Sequence, residues 1–296
     1  MGEALTQPSA RLRGLFWIAI AVLIWAAWLV VTTSGQATEL AVMDLALLRT
    51  GVPALILAPV LWRGRAELRA LGLGRILALA LYGAPFTLSV AYGLTLAPSA
   101  HAGAMVPGMM PLFAALLGVA ILRERLNHIQ LVGLLLILLA AGLIVFAGGL
   151  SGGPSPGHLF FLIGALCWAA FTVTLKTVSI SAFLVTGLVG AISAFVLLPI
   201  WVISGFGQVL TAPVSDFLFQ IVFQGLLTGF VSVFAFGKAL ELLGESARGA
   251  SALVPGLAAL MAIPVLGQVP SGAEVVALAL VILGIWVVAR KGPDRS

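Results

Sequence analysis

From Leu15 to Thr33 the chain reads LFWIAIAVLIWAAWLVVTT, nineteen residues without a charge. A bilayer's hydrocarbon core is about 30 Å thick, and a helix rising about 1.5 Å per residue crosses it in roughly 20 residues. Ten such runs follow one another, near 14–34, 40–62, 73–96, 98–121, 127–148, 158–177, 182–204, 216–241, 246–268 and 272–290. Lipid offers no hydrogen bonds, so each spanning segment must pair its own backbone groups. Barrel strands would alternate apolar and polar residues, and these runs do not. The expected fold class is therefore an all-α membrane protein of ten transmembrane helices.

Composition agrees. The chain is 61% hydrophobic and 8% charged, against about 25% charged in an ordinary soluble domain. Connections are short, so no soluble domain is expected. Cys167 is the single cysteine, which excludes an internal disulfide and reads as a small buried hydrophobe. The three histidines, His101, His128 and His158, lack metal-ligand spacing. His101 reads as a polar helix-end residue or a group touching substrate or a proton, and the other two as loop residues. No metal and no cofactor are expected.

Two short motifs carry little. Gly2 and Thr6 fit a myristoylation pattern, but a chain with many spans needs no lipid anchor. Gly149 to Gly153 fits G-x-S-x-G around Ser151, but a nucleophile elbow needs a strand, a tight turn and a base. No enzymatic activity is expected.

The basic residues sort by side. Arg11, Arg13, Arg63, Arg65, Arg69, Arg75, Arg123, Arg125, Lys176, Lys238, Arg248, Arg290, Lys291 and Arg295 fall on one face if the spans alternate. Glu39, Asp44, Asp216 and Glu274 fall on the other. The positive-inside rule then puts both termini in the cytoplasm. The net charge of +5 is a topology signal, not a nucleic-acid footprint.

The chain also repeats itself. AMVPGMMPLFAALLG (104–118) returns as ALVPGLAALMAIPVLG (252–267), and Trp25-Ala26-Ala27-Trp28 returns as Trp168-Ala169-Ala170-Phe171. Ala91-Tyr92-Gly93-Leu94 is answered by Ala235-Phe236-Gly237-Lys238. Residues 1–148 form a first five-helix repeat, 149–157 a Gly/Pro/Ser linker, and 158–296 a second repeat. Five is odd, so the second repeat enters the membrane inverted. That is an architecture of secondary transporters, whose halves rock about a midplane site.

The order of these features resembles the EamA-type branch of the drug/metabolite transporter superfamily, including exporters of aromatic amino acids. The resemblance rests on Trp25, Arg49, AYGLTLAPSAHAGAMVPGMMPLFAALLG, Glu124 and QLVGLLLILLAAGLIV, with their second-half counterparts. Trp25-Ala26 stands where Trp-Gly is frequent, and Gln268 where an acid is expected. The resemblance implies a central cavity lined by helices one, three, four, six, eight and nine, with five and ten at the back. It also implies export or exchange of small metabolites, amino acids among them, across a bacterial inner membrane.

Several residues are candidates for that cavity. Trp25 and Trp168 lie roughly 16 Å into helices one and six, at 1.5 Å per residue. They read either as symmetric helix packing or as two walls around a substrate. Arg49 is a charge deep in helix two, where insertion costs about 2.5–3.5 kcal/mol. It reads as a structural pairing or as a partner for a substrate carboxylate. Asp44 is about 140° round the helix from it and poorly placed as its partner. Tyr82, Phe171, Thr172, Thr228, Ser232 and Ser251 supply ring and hydroxyl groups; Met105 and Met109 supply an adaptable apolar wall or core filling. Pro107-Gly108 and Pro255-Gly256 are candidate hinges and should face protein or cavity, not lipid.

The expected partners are a small-molecule substrate and the lipid bilayer, with no nucleic acid; the oligomeric state is open and compatible with a monomer. The preferred function is a secondary transporter of small metabolites, most of all amino acids with apolar or aromatic side chains. A multidrug or other metabolite carrier is the alternative, and an intramembrane enzyme or a channel is more remote.

Overall fold

A computed structural model of the protein describes residues 8–37, 40–146, 154–244, 247 and 250–289. Gly2, Thr6, Glu39, Arg248, Arg290, Lys291, Arg295 and the G-x-S-x-G stretch around Ser151 lie outside the described residues, as does the side chain of Ser251. Among the described residues every regular element is helical.

Among the described residues ten helical units follow in order, with a short helix, Arg65–Leu71, between the second and the third. The first repeat holds α1 (Pro8–Ala37), α2 (Val42–Ile56, continued by Ala58–Arg63), α3 (Leu73–Ala80 and Ala84–Leu96), α4 (Ser99–Leu122) and α5 (His128–Phe146). The second holds α6 (Pro156–Leu175), α7 (Ala182–Ile203) and α8 (Val214–Gln220, Ile221–Val231 and Ser232–Leu243). It ends with α9 (Val254–Leu266) and α10 (Gly272–Ala289). Eight of the ten are long and apolar enough to cross a membrane. The exceptions have local causes. Pro59 lacks an N–H for the helical ladder and divides α2 at Leu57, while α9 has 13 residues and follows a 3₁₀ turn, Ala250–Leu253.

The repeats are inverted, and close glycine contacts show it. A Cβ on Gly190 of α7 would meet Thr50 of α2, one on Gly187 would meet Leu57 and Leu61, and one on Gly64, just past α2, would meet Leu184. As numbers rise along α2 they fall along α7, so these equivalent helices run antiparallel. Gly164 against Val90 and Gly157 against Ala97 give the same reading for α3 and α6. The packing partners exchange between halves: α1 packs on α8 as α6 packs on α3, and α4 on α6 as α9 on α1. Helices α5 and α10 pair with each other at the back, where Gly133 and Gly284 bring the backbones together.

Two helices are irregular at depth. Helix α3 breaks at Gly83, and the freed Ala84 N–H donates to Ser193 Oγ of α7 at 2.9 Å. Broken backbone is tolerated in a membrane when protein re-satisfies it this way. Helix α8 widens to a π-helix over Ile221–Val231. Gly229 in that stretch lies against Pro53 and the Arg49 carbonyl, so α8 sits tightly on α2.

The repeated VPG motif is not used twice in the same way. Pro107 lies inside α4, whereas Pro255 falls in the first turn of α9. A first-turn proline removes only an N–H that had no intrahelical partner, so the helix is not broken there. The two candidate hinges therefore occupy unlike positions in their helices. Both prolines are buried, as a protein-facing position requires. Gly108 and Gly256 both turn toward α10, meeting Val281 and Ile282.

Candidate functional site

A small cavity lies between the repeats. Trp25, Trp28 and Leu29 of α1 and Arg49 of α2 form one side. Tyr82 and Phe86 of α3, Val106 and Pro107 of α4, Trp168 of α6 and Val254 of α9 complete it. Its volume is about 30 Å³, room for a water or two and too little for a metabolite. A second cavity of about 370 Å³, lined by Arg75, Leu117, Thr174 and Thr177 among others, opens between the ends of α3, α4 and α6.

The rings form a connected set. Tyr82 stacks on Phe86 at 4.9 Å and on Phe171 at 4.6 Å, and Trp168 meets Phe86 edge-on at 5.9 Å. Tyr82 is placed by the α3 break that begins beside it. Trp25 leans on Phe236 of α8 at 5.1 Å. Trp25 and Trp168, from equivalent positions in the two repeats, line the same cavity.

Arg49 is the cation of this site. It is buried, with its guanidinium carbon 4.0 Å from the Trp28 ring centre and 5.6 Å from that of Phe86. Ring faces attract cations, by about 2 kcal/mol where water is excluded. The Tyr82 side chain is its other polar neighbour. Its Nη1 is buried and has no hydrogen-bond partner. Asp44 is occupied elsewhere, accepting from Trp201 Nε1 at 2.5 Å, Gln208 N at 3.0 Å and Ala41 N at 2.9 Å.

Trp28 is held from the opposite repeat. Its Nε1–H donates to Gln224 Oε1 at 3.0 Å, and Gln224 Nε2 donates to Thr32 Oγ1 and Gln220 Oε1, both at 3.1 Å. These buried amides, Gln224 in the π-helical stretch and Gln220 just before it, give α1 and α8 a polar seam.

Of the sequence candidates, Trp25, Arg49, Tyr82, Trp168 and Pro107 line the cavity. Phe171 stands behind Tyr82. Met105 and Met109 are buried in the apolar core. Thr172 and Ser232 donate to the Ala169 and Thr228 carbonyls of their own helices, and the buried Thr228 hydroxyl has no partner. Helix α2 contributes to the lining, and α8 supports it from behind. Sequence reasoning missed Trp28 and Phe86. Trp28 is three residues after Trp25 on α1, a spacing that shares a helix face, while Phe86 follows Tyr82 across the break at Gly83.

The inverted helical repeats and the small cavity between them define a class, the multi-span transporters built by duplication. The chain belongs to the EamA-like transporter family, whose model matches residues 12–146 and 155–290, once per repeat. It is thus a membrane transporter of small molecules. A solved structure described as "Crystal structure of protein" shares the fold, with a TM-score of 0.59 at 22% identity over 96% of this chain and 98% of that one. No curated protein matches the chain.

Proposed function

We propose that the protein is a secondary carrier, exporting or exchanging small metabolites that join a carboxylate to an apolar or aromatic body. Amino acids with such side chains are the foremost class. The carrying observation is the buried, unpartnered Nη1 of Arg49, a residue that lines a cavity walled by aromatic rings. A planar guanidinium matches a carboxylate with two parallel hydrogen bonds. Trp25, Trp168 and Phe86 offer faces for the apolar body, and Pro107 lets the α4 wall bend.

Alternating access fits the asymmetry of the two ends. The Arg75 end opens into the 370 Å³ cavity, while the other end of α4 is packed and polar-tied. A second reading, organic acids without an amino group, is favoured by the absence of Asp and Glu among the cavity-lining residues.

Counterflow in proteoliposomes tests the proposal. Vesicles loaded with one unlabelled compound should accumulate the same labelled compound transiently and saturably. The panel holds apolar and aromatic amino acids, their decarboxylated amines and their deaminated acids. Movement of the carboxylates alone supports the proposal; movement of the amines alone overturns it.

A further inference from the structure

A second buried polar cluster lies at the far end of the same helices, where the N-termini of α4, α6 and α10 meet. His101, His158 and Glu274 are 1%, 4% and 3% exposed. His158 Nε2 and His101 Nδ1 are 3.0 Å apart, and His101 Nε2 contacts Glu274 Oε1. His101 belongs to the first repeat, and the other two to the second. His158 is therefore a buried first-turn residue of α6, not the loop residue expected from sequence.

The hydrogen bonds run in one direction. Ser155 N–H donates to His158 Nδ1 at 3.2 Å, so that nitrogen carries no proton. His158 must then donate from Nε2 to His101 Nδ1, and His101 from Nε2 to Glu274. Glu274 Oε2 accepts Ser271 N–H at 2.7 Å. Each imidazole nitrogen is committed to one neighbour, so the groups form a line and do not converge as metal ligands do.

A further proton changes this line at a defined place. On His101 Nδ1 it would set N–H against N–H. His158 can still accept only if its own proton moves to Nδ1, where it confronts the Ser155 N–H. Protonation therefore exchanges the Ser155–His158 contact for an imidazolium–carboxylate pair between α4 and α10. Imidazole is the side chain suited to make such an exchange near neutral pH.

Among the described residues, the other ionisable groups on the helices packed here lie away from the cluster. Helix α9 and the turn before α10 carry none, α5 has only His128 at its opposite end, and α1 has Arg11 and Arg13 at its opposite end. On α6, Cys167 lies more than two turns deeper, and on α3 the exposed Tyr92 packs on Phe160.

We propose that Glu274, His101 and His158 form a proton-binding site that ties the two repeats together, so that acid favours closure of this end of the carrier and alkali its opening. The proposal does not depend on which substrate is carried.

Two measurements on the full chain test it. In His128→Gln protein labelled with ¹⁵N-histidine, the only imidazoles left are those of the cluster. Their resonances should shift together as the pH is varied across the range of the second measurement; independent shifts, or none, overturn the site. For the closure, spin labels at Leu96→Cys and Val275→Cys in a Cys167→Ala background report the separation of the repeats; both native positions are exposed. Raising the pH from about 5.5 to 8.5 should enlarge the long-distance fraction about fivefold or more, the low end of an ordinary coupling free energy. His158→Gln should abolish the response. An unchanged distribution in the native cluster, or a response that survives His158→Gln, overturns the coupling.

Discussion

The guanidinium of Arg49 lies 4.0 Å over the ring of Trp28, and that ring is held by a hydrogen bond from its indole N–H to Gln224 of the other repeat. A charge at membrane depth is thus seated on an aromatic face that the second half of the protein positions. The ring offsets part of the burial penalty without using a hydrogen-bond acceptor. Nη1 is left available, which a carboxylate partner from the protein would have prevented.

Replacement of Arg49 separates structure from recognition. Arg49→Gln should leave the yield of folded protein within about twofold and weaken binding of a carboxylate substrate by about 2 kcal/mol, on the order of 30-fold. Arg49→Lys retains charge but loses the planar fork, so its affinity should fall between the two. Apparent affinity from counterflow, set against size-exclusion yield, checks both.

The seam behind Trp28 is a coupled unit. Gln224→Leu leaves the buried indole N–H unpaired and should lower stability by about 1–3 kcal/mol. Adding Trp28→Phe removes that orphan donor. The double variant should be less destabilised than the sum of the singles by about 1 kcal/mol, measured by thermal unfolding in detergent.

Glycines at helix crossings predict a sharp contrast. A Cβ on Gly190 would stand 2.6 Å from the Thr50 carbonyl oxygen, a backbone atom, whereas one on Gly142 meets nothing within 4 Å. Gly190→Ala should destabilise by roughly 1–3 kcal/mol through forced separation of α2 and α7. Gly142→Ala should be neutral. Melting temperatures of the two variants check the antiparallel α2–α7 pairing directly.

The two VPG motifs should answer differently to mutation. Pro107 interrupts the ladder inside α4 and lines the cavity, while Pro255 sits in a first turn. Pro107→Ala restores a backbone donor and stiffens α4, so maximal counterflow rate should drop severalfold with folded yield retained. Pro255→Ala should leave the rate unchanged. Equal effects would show that the difference in helix position has no mechanical meaning.

Much of this architecture was legible because lipid imposes simple demands. Apolar run length marked the spans, Trp25 and Trp168 stood out at midplane depth, and Arg49 stood out as a charge where charges are costly. The duplicated motifs exposed the inverted repeat. What stayed hidden depends on which distant segments meet. Gln224 looked unremarkable until the π-helical stretch set it against Trp28 and Thr32 of α1, with Gln220 accepting from its amide. His158 read as a loop residue, and Glu274 only as an acid on the face opposite the basic residues, because each begins an apolar helix. Alternation alone brings the N-termini of α4, α6 and α10 to one face, and that was the available signal. The unequal helix positions of Pro107 and Pro255 were foreshadowed by the longer Gly237–Pro255 spacing, but a length difference does not say where a helix starts.

The central claim is that Arg49 receives a carboxylate inside an aromatic cavity. The most direct test is competition against labelled L-phenylalanine counterflow by 3-phenylpropionate and by phenethylamine, in native and Arg49→Gln protein. Native protein should catalyse saturable counterflow, the acid should compete and the amine should not, and Arg49→Gln should lose the preference. Competition by the amine as strong as by the acid, or a preference for the acid unchanged in Arg49→Gln, would contradict it.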